Sequence, residues 1–234
     1  MNILAIDAAT AVLSLTLQKG ESYYQYNADI GFRHSELIMP AVDRLFAEAE
    51  LKPTDLDLVC TALGPGSFTG LRVGMATAKG ICAATDTPFV AVPTLDILAR
   101  PFVHFDGLVL PLIDARKKRY FAALYRKGVK LSDYGDLTPE EIFTLVDRLG
   151  KEGEKVILTG PDCALFNSHV ESRDDRDCFL LDEECRRGNG GAMIALGRCL
   201  FEERGPDTMD TGPLYMRKSE AEISLEAKEA STSS

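Results

Sequence analysis

The sequence predicts an α/β protein made of two tandem halves, each running β-β-β-α-β-α. Three observations support that class. Apolar or alternating runs fill most of the first thirty residues, as a strand meander does. A helical repeat, a short apolar run and a second helical stretch follow in that order. Near residue 105 the same order begins again in a weaker copy. It divides the chain into halves at 2–105 and 106–217, with a polar tail at 218–234.

The first strand is read at 2–7, ending on Asp7, with a small-residue turn at Ala8, Ala9 and Thr10. Alternation through Val12, Ser14, Leu15, Thr16 and Leu17 makes the second strand, and Lys19-Gly20 turns it into a third at 22–28. Leu37, Ile38, Ala41, Val42, Leu45, Phe46 and Ala49 then recur at three- and four-residue spacing, so an amphipathic helix follows His34. Pro40 donates no backbone hydrogen bond, so this helix is expected to start late or kink near its beginning. A buried strand at 56–63, a glycine-rich turn at 64–70, a helix at 71–84 and a short strand at 89–94 complete the half.

In the second half, LVLPLI at 108–113 restarts the cycle, with further strands at 120–125 and 128–134. Thr138 caps a helix that has Pro139 at its first position and Glu140 and Glu141 in its first turn. A buried strand at 156–160 and a small-residue helix at 191–203 follow, and 218–234 reads as a frayed helix and disordered tail. Tandem halves of this order are the plan of actin, sugar kinases and Hsp70, the actin-like (ribonuclease H-like) fold.

The chain has 234 residues and a formal charge of −10, which argues against autonomous nucleic-acid binding, because phosphate backbones are bound by Lys and Arg clusters. No run reaches the ~18 apolar residues of a membrane span, so no membrane partner is expected. The opening residues lack a basic region and are broken by Asp7, which reads as a strand rather than a signal peptide. Six cysteines without a CxxC pair suit a reduced, cytoplasmic setting. With only His34, His104 and His169, no metal-binding histidine pair at helical spacing exists.

Two features offer chemistry. In phosphotransferases of this architecture, an Asp ending the first strand holds a metal or water beside phosphates. Asp7 reads first as a cap of its own turn, and Ala8-Ala9 supplies neither glycine nor hydroxyl for gripping phosphate. The segment Gly64-Pro65-Gly66-Ser67-Phe68-Thr69-Gly70-Leu71-Arg72-Val73-Gly74 lies between a buried strand and a helix. As a generic glycine loop it reads first as a tight turn and second as an anion cradle of exposed N–H groups. It lacks the GK[ST] of a Walker loop. The basic run Arg116 to Arg119 reads first as a solvated hairpin turn.

Taken whole, GPGSFTGLRVG followed by MATAKGI resembles the hallmark of the TsaB (YeaZ) family. So do the opening ILAIDAAT, the HSE at His34, Asp114-Ala115-Arg116, and PLYMR at 213–217. The resemblance implies the actin-like fold, a cytoplasmic location and a role in tRNA threonylcarbamoylation beside the catalytic paralogue TsaD. That assembly also uses the ATPase TsaE. It implies a heterodimer with TsaD, a homodimer when TsaD is absent, and tRNA met only through the complex. The catalytic paralogue carries paired histidines that bind a metal. Here Ile38 stands one turn after His34, so no catalytic or metal role is expected.

The helices after His34 and Gly70 are the expected partner interface, with His34, Met39, Arg72, Met75 and Lys79 as its residues. Asp7, Gly64, Gly66, Ser67, Thr69, Gly70, Asp114 and Arg116 form a second candidate set, a nucleotide or anion cleft between the halves. No cofactor is required by the supporting role, and ATP or ADP binding stays open. The rival reading is a stand-alone actin-like ATPase or a metallopeptidase. A peptidase needs a metal pair or an activated nucleophile with a base, and no His-containing set of that kind is visible.

Overall fold

The computed structural model describes residues 1–31 and 33–217, so the tail expected at 218–234 lies outside the described residues. Strands β1 (Asn2–Asp7), β2 (Val12–Lys19) and β3 (Ser22–Asp29) form the antiparallel meander. Helix α1 (His34–Ala49), β4 (Leu58–Gly64), α2 (Phe68–Thr85), β5 (Phe89–Pro93) and the short α3 (Thr94–Ala99) follow. The second stretch begins with β6 (Leu108–Asp114), β7 (Tyr120–Ala122), β8 (Tyr125–Arg126), β9 (Val129–Lys130) and β10 (Gly135–Leu137). It continues with α4 (Pro139–Leu149), β11 (Val156–Thr159), α5 (Cys163–Val170), β12 (Phe179–Leu181) and α6 (Gly190–Arg204).

The two sheets repeat one topology. The first has the order β3-β2-β1-β4-β5, antiparallel up to β1 and parallel from β1 through β4 to β5. The second runs β10-β7-β6-β11-β12 with the same directions, and the β8–β9 hairpin attaches to β6. This duplicated order is the actin-like plan expected from the sequence.

Strand alternation decides how the layers stack. Leu4 and Ile6 of β1 face α1 and α2, meeting Ile38, Val42, Leu45 and Phe46 from α1 and Met75, Ala78 and Cys82 from α2. Ile3 and Ala5 point the other way, toward Met193 and Ile194 of α6. Although α6 belongs to the second stretch of sequence, it packs against the first sheet. Helix α3 is shared: Leu95, Leu98 and Ala99 pack on Val109, Ile113 and Phe121 of the second sheet. Ile142 of α4 and Phe166 of α5 cover the opposite face of that sheet.

Three local outcomes differ from the sequence expectations. Helix α1 begins at His34 and runs through Pro40, so of the two expectations, a late start or a kink, the late start does not hold. Proline removes one donor near the first turns, and burial of Ile38, Ala41, Val42, Leu45 and Phe46 outweighs that loss. Helix α2 starts at Phe68, three residues before 71, because Ser67 caps it: the Ser67 Oγ accepts the Gly70 N–H at 3.3 Å. Of the strand expected at 128–134 only the two residues of β9 form, and β10 begins just beyond it at Gly135. No helix among the described residues is long and apolar enough to cross a membrane.

Candidate functional site

Two crevices, one in each half, face each other across a cleft of about 370 Å³. Both are built from the end of the central strand, β1 or β6, and the turn after its parallel neighbour, β4 or β11. In the first half, Asp7 ends β1 and its Oδ1 accepts the Ala9 N–H at 2.9 Å. Asp7 is 9% exposed, and burial pushes its carboxyl up to about 6. It caps its own turn from behind the cleft and does not line it. In the second half, Asp114 ends β6 and its Oδ1 accepts the Arg116 N–H at 2.8 Å, the same local motif.

The facing turns are also related. β4 ends in Gly64-Pro65 and β11 is followed by Gly160-Pro161. In the first half the turn closes backbone on backbone: the Ser67 N–H donates to the Ala9 carbonyl at 2.7 Å. A Cβ built on Gly66 would overlap that carbonyl, and one on Gly70 would overlap the carbonyl of Ala8. These glycines therefore permit close contact. Gly64 lies beneath the Leu214 carbonyl rather than in the cleft. In the second half, the Asp162 Oδ2 instead accepts the Asp114 N–H at 2.9 Å, and burial pushes the Asp162 carboxyl up. Asp162 was missed in the sequence, although a Gly-Pro-Asp following a buried strand was the signal for it.

Gly66, Ser67 and Thr69 thus come together with Asp114 and Arg116, joined by Thr10, Phe68, Phe121 and Asp162. The set offers hydroxyls, one guanidinium and two carboxylates. Among the described residues, no three His, Cys, Asp or Glu side chains group as a metal site.

Beyond Asp114 the chain makes an uncommon turn. Arg116, Lys117 and Lys118 have φ of 64°, 57° and 57°, three successive side-chain-bearing residues in the left-handed region. Each costs roughly 1–2 kcal/mol relative to right-handed backbone. The root of the turn is fixed on both sides. The Ala115 N–H donates to the Arg119 carbonyl at 2.9 Å, and Arg217 donates to the Ala115 carbonyl. Arg119 and Arg217 both pair with Asp136. Lys117 and Lys118 stand exposed at the tip, and no ion pair involves either among the described residues.

The expected helical interface needs correction at two residues. His34 is 2% exposed; its Nε2–H donates to the Thr10 carbonyl at 2.8 Å, and burial holds its imidazole below the usual range. It is a buried group tying α1 to the first turn and touches no outer surface. Met75 is 3% exposed and packs in the core between α2 and the sheet. Met39 is outward, 46% exposed. Arg72 and Lys79 are held by the returning segment after α6. The Lys79 Nζ donates to the carbonyls of Met209 and Thr211, and the Arg72 Nε to the Tyr215 hydroxyl at 2.8 Å. Tyr215 stacks on Phe68 with ring centroids 4.7 Å apart.

Residues 30–164 match the family model described as TsaD: tRNA N6-adenosine threonylcarbamoyltransferase. The chain is 31% identical over 226 residues to the tRNA threonylcarbamoyladenosine biosynthesis protein TsaB of Bacillus subtilis, spanning 95% of this chain and 96% of that one. It is 30% identical over 238 residues to the protein of the same name from Escherichia coli, spanning 98% and 100%. Among solved structures, YeaZ from Pseudomonas aeruginosa shares the fold with a TM-score of 0.74 at 22% identity, over 92% of this chain and 99% of that one.

Proposed function

The chain belongs to the TsaB (YeaZ) family, and we propose that it serves tRNA threonylcarbamoyladenosine biosynthesis as a non-catalytic subunit that binds and supports TsaD. The observation that carries the supporting role is Gly80. It lies inside α2 on the solvent side, and a Cβ built there would meet nothing within 4 Å. Nothing in the packing of the described residues calls for a glycine, which costs about 1 kcal/mol against alanine in a helix interior. Thr69, Ala76 and Ala83 share its exposed stripe, and the neighbouring α1 exposes Met39 and Ala47. Side chains this small on α2 let a partner helix approach closely.

In this reading TsaD occupies the α1–α2 face, a second copy takes it when TsaD is absent, and the ATPase TsaE joins the assembly. The position one turn after His34 is Ile38, which is buried in the core, so this helix supports packing rather than metal chemistry. The inter-half cleft is the place for ATP or ADP if the subunit takes one, and the supporting role requires none.

Gly80→Glu tests the face directly. The variant keeps its helical circular dichroism and fails to co-elute with TsaD in size-exclusion chromatography. Normal co-elution would place the interface elsewhere. Met75→Glu serves as the contrast: it buries a charge at a cost on the order of 4 kcal/mol and loses the folded state itself. Purified chain with ATP and magnesium separates the rival reading, because turnover at ordinary enzyme rates would identify a stand-alone ATPase.

A further inference from the structure

We propose that the left-handed turn at Arg116, Lys117 and Lys118 is the point where this otherwise acidic subunit meets the phosphate backbone of tRNA within the assembled complex. The proposal rests on the pathway reading above and adds a contact to it. The formal charge of −10 makes a broad nucleic-acid surface unfavourable, so any RNA contact has to be local. The turn supplies three successive cations at the rim of the inter-half cleft, with Arg116 lining that cleft. The neighbouring Arg119 and Arg217 are already matched by Asp136, and Arg119 also by Glu141. Lys117 and Lys118 carry no such carboxylate partner among the described residues.

The backbone supports the same assignment. Side-chain-bearing residues persist in the left-handed region where the surroundings fix them, and such positions cluster at functional sites. Here two arginines and a strand end fix the root, which presents the lysine tip without flexible approach. A pre-set cationic tip loses little order on meeting a phosphate.

The test uses the complex of this chain with TsaD and an unmodified tRNA transcript, titrated across salt concentrations. Lys117→Ala/Lys118→Ala is expected to weaken tRNA binding about tenfold near 0.1 M salt and to lower the salt slope by about 2. Lys117→Arg/Lys118→Arg, which keeps both charges, is expected to bind as the parent does. An unchanged affinity and slope for the alanine pair would overturn the proposal. So would loss of co-elution with TsaD by the alanine pair, which would make the tip a protein contact. Competition of tRNA by ATP with magnesium at the tip would assign it to a nucleotide's phosphates and overturn it as well. Failure of the parent complex to bind tRNA would instead count against the pathway reading.

Discussion

The two crevices that face each other across the cleft are built to one plan and closed in opposite ways. In the first half, Ala8, Ala9, Gly66 and Gly70 bring two backbones into direct contact, and the Ser67 N–H reaches the Ala9 carbonyl. In the second half, a side chain stands between the same two elements: Asp162 bridges to the Asp114 N–H. The first turn has no side-chain-bearing residue in the left-handed region, whereas the second has three in a row. Duplication of a fold therefore does not duplicate a site. The half whose crevice is filled by backbone becomes a rigid base for α2, and the half bridged by a carboxylate keeps polar groups and cations at its mouth.

The largest expected effect attacks the closed crevice. Gly70→Ala pushes a Cβ into the Ala8 carbonyl, which lies in rigid backbone, and should cost about 3 kcal/mol by denaturant unfolding. A loss below ~1 kcal/mol would mean that the contact is looser than the geometry gives. Asp7→Asn probes the same half through pH. The Asp7 carboxyl titrates near 6 when folded, above its ordinary 3.8, so ionisation opposes folding. The parent is free of this penalty below pH 4 and acquires it as pH rises through 6. The variant, whose amide still accepts the Ala9 N–H, should therefore gain about 2 kcal/mol at pH 8 and nothing at pH 4. Equal stabilisation at both values would refute that assignment.

The open crevice should respond more mildly. Asp162→Ala removes one charge-assisted bond that bridges two elements, and its cost should be about 1–2 kcal/mol, below that of Gly70→Ala. Reversal of that order in thermal melts would invert the comparison. Smallest of all, Lys117→Gly relieves one left-handed residue while adding unfolded-state freedom, and should stabilise by about 1 kcal/mol or less. Destabilisation would show that the lysine side chain packs at the tip.

Most of the first half was legible because its elements are long and its periodicities clean: β2, β3 and α1 each present a regular alternation or stripe. The second half was harder. β8 and β9 have two residues each, too few to show alternation, and β12 and α5 were not read from the sequence, whereas in the first half only the six-residue α3 went unread. Asp162 precedes α5 as a cap would, yet its side chain is engaged by Asp114 and makes no cap bond. Met75 was misplaced for a different reason. α2 is small-residued nearly all round, so apolar contrast between its faces is weak and spacing alone does not orient it. His34 was misplaced because a polar residue at a helix start ordinarily faces water, and only the fold reveals the Thr10 carbonyl beside it.

The return of α6 to the first sheet has a consequence for synthesis. A ribosome-bound chain that has released residues 1–105 holds Ile3, Ala5, Leu58, Val90 and Val92 on a face whose cover, Met193 and Ile194, has not yet been made. The amino-terminal half thus waits with an apolar surface bare while the second half emerges, the situation in which nascent chains aggregate or recruit chaperones. The sequence separation between β1 and α6 also raises contact order, so the last docking step is slow compared with formation of either sheet. Release of a fragment ending near residue 105 should yield insoluble protein, and supplying the 106–217 fragment in trans should bring part of it back into solution.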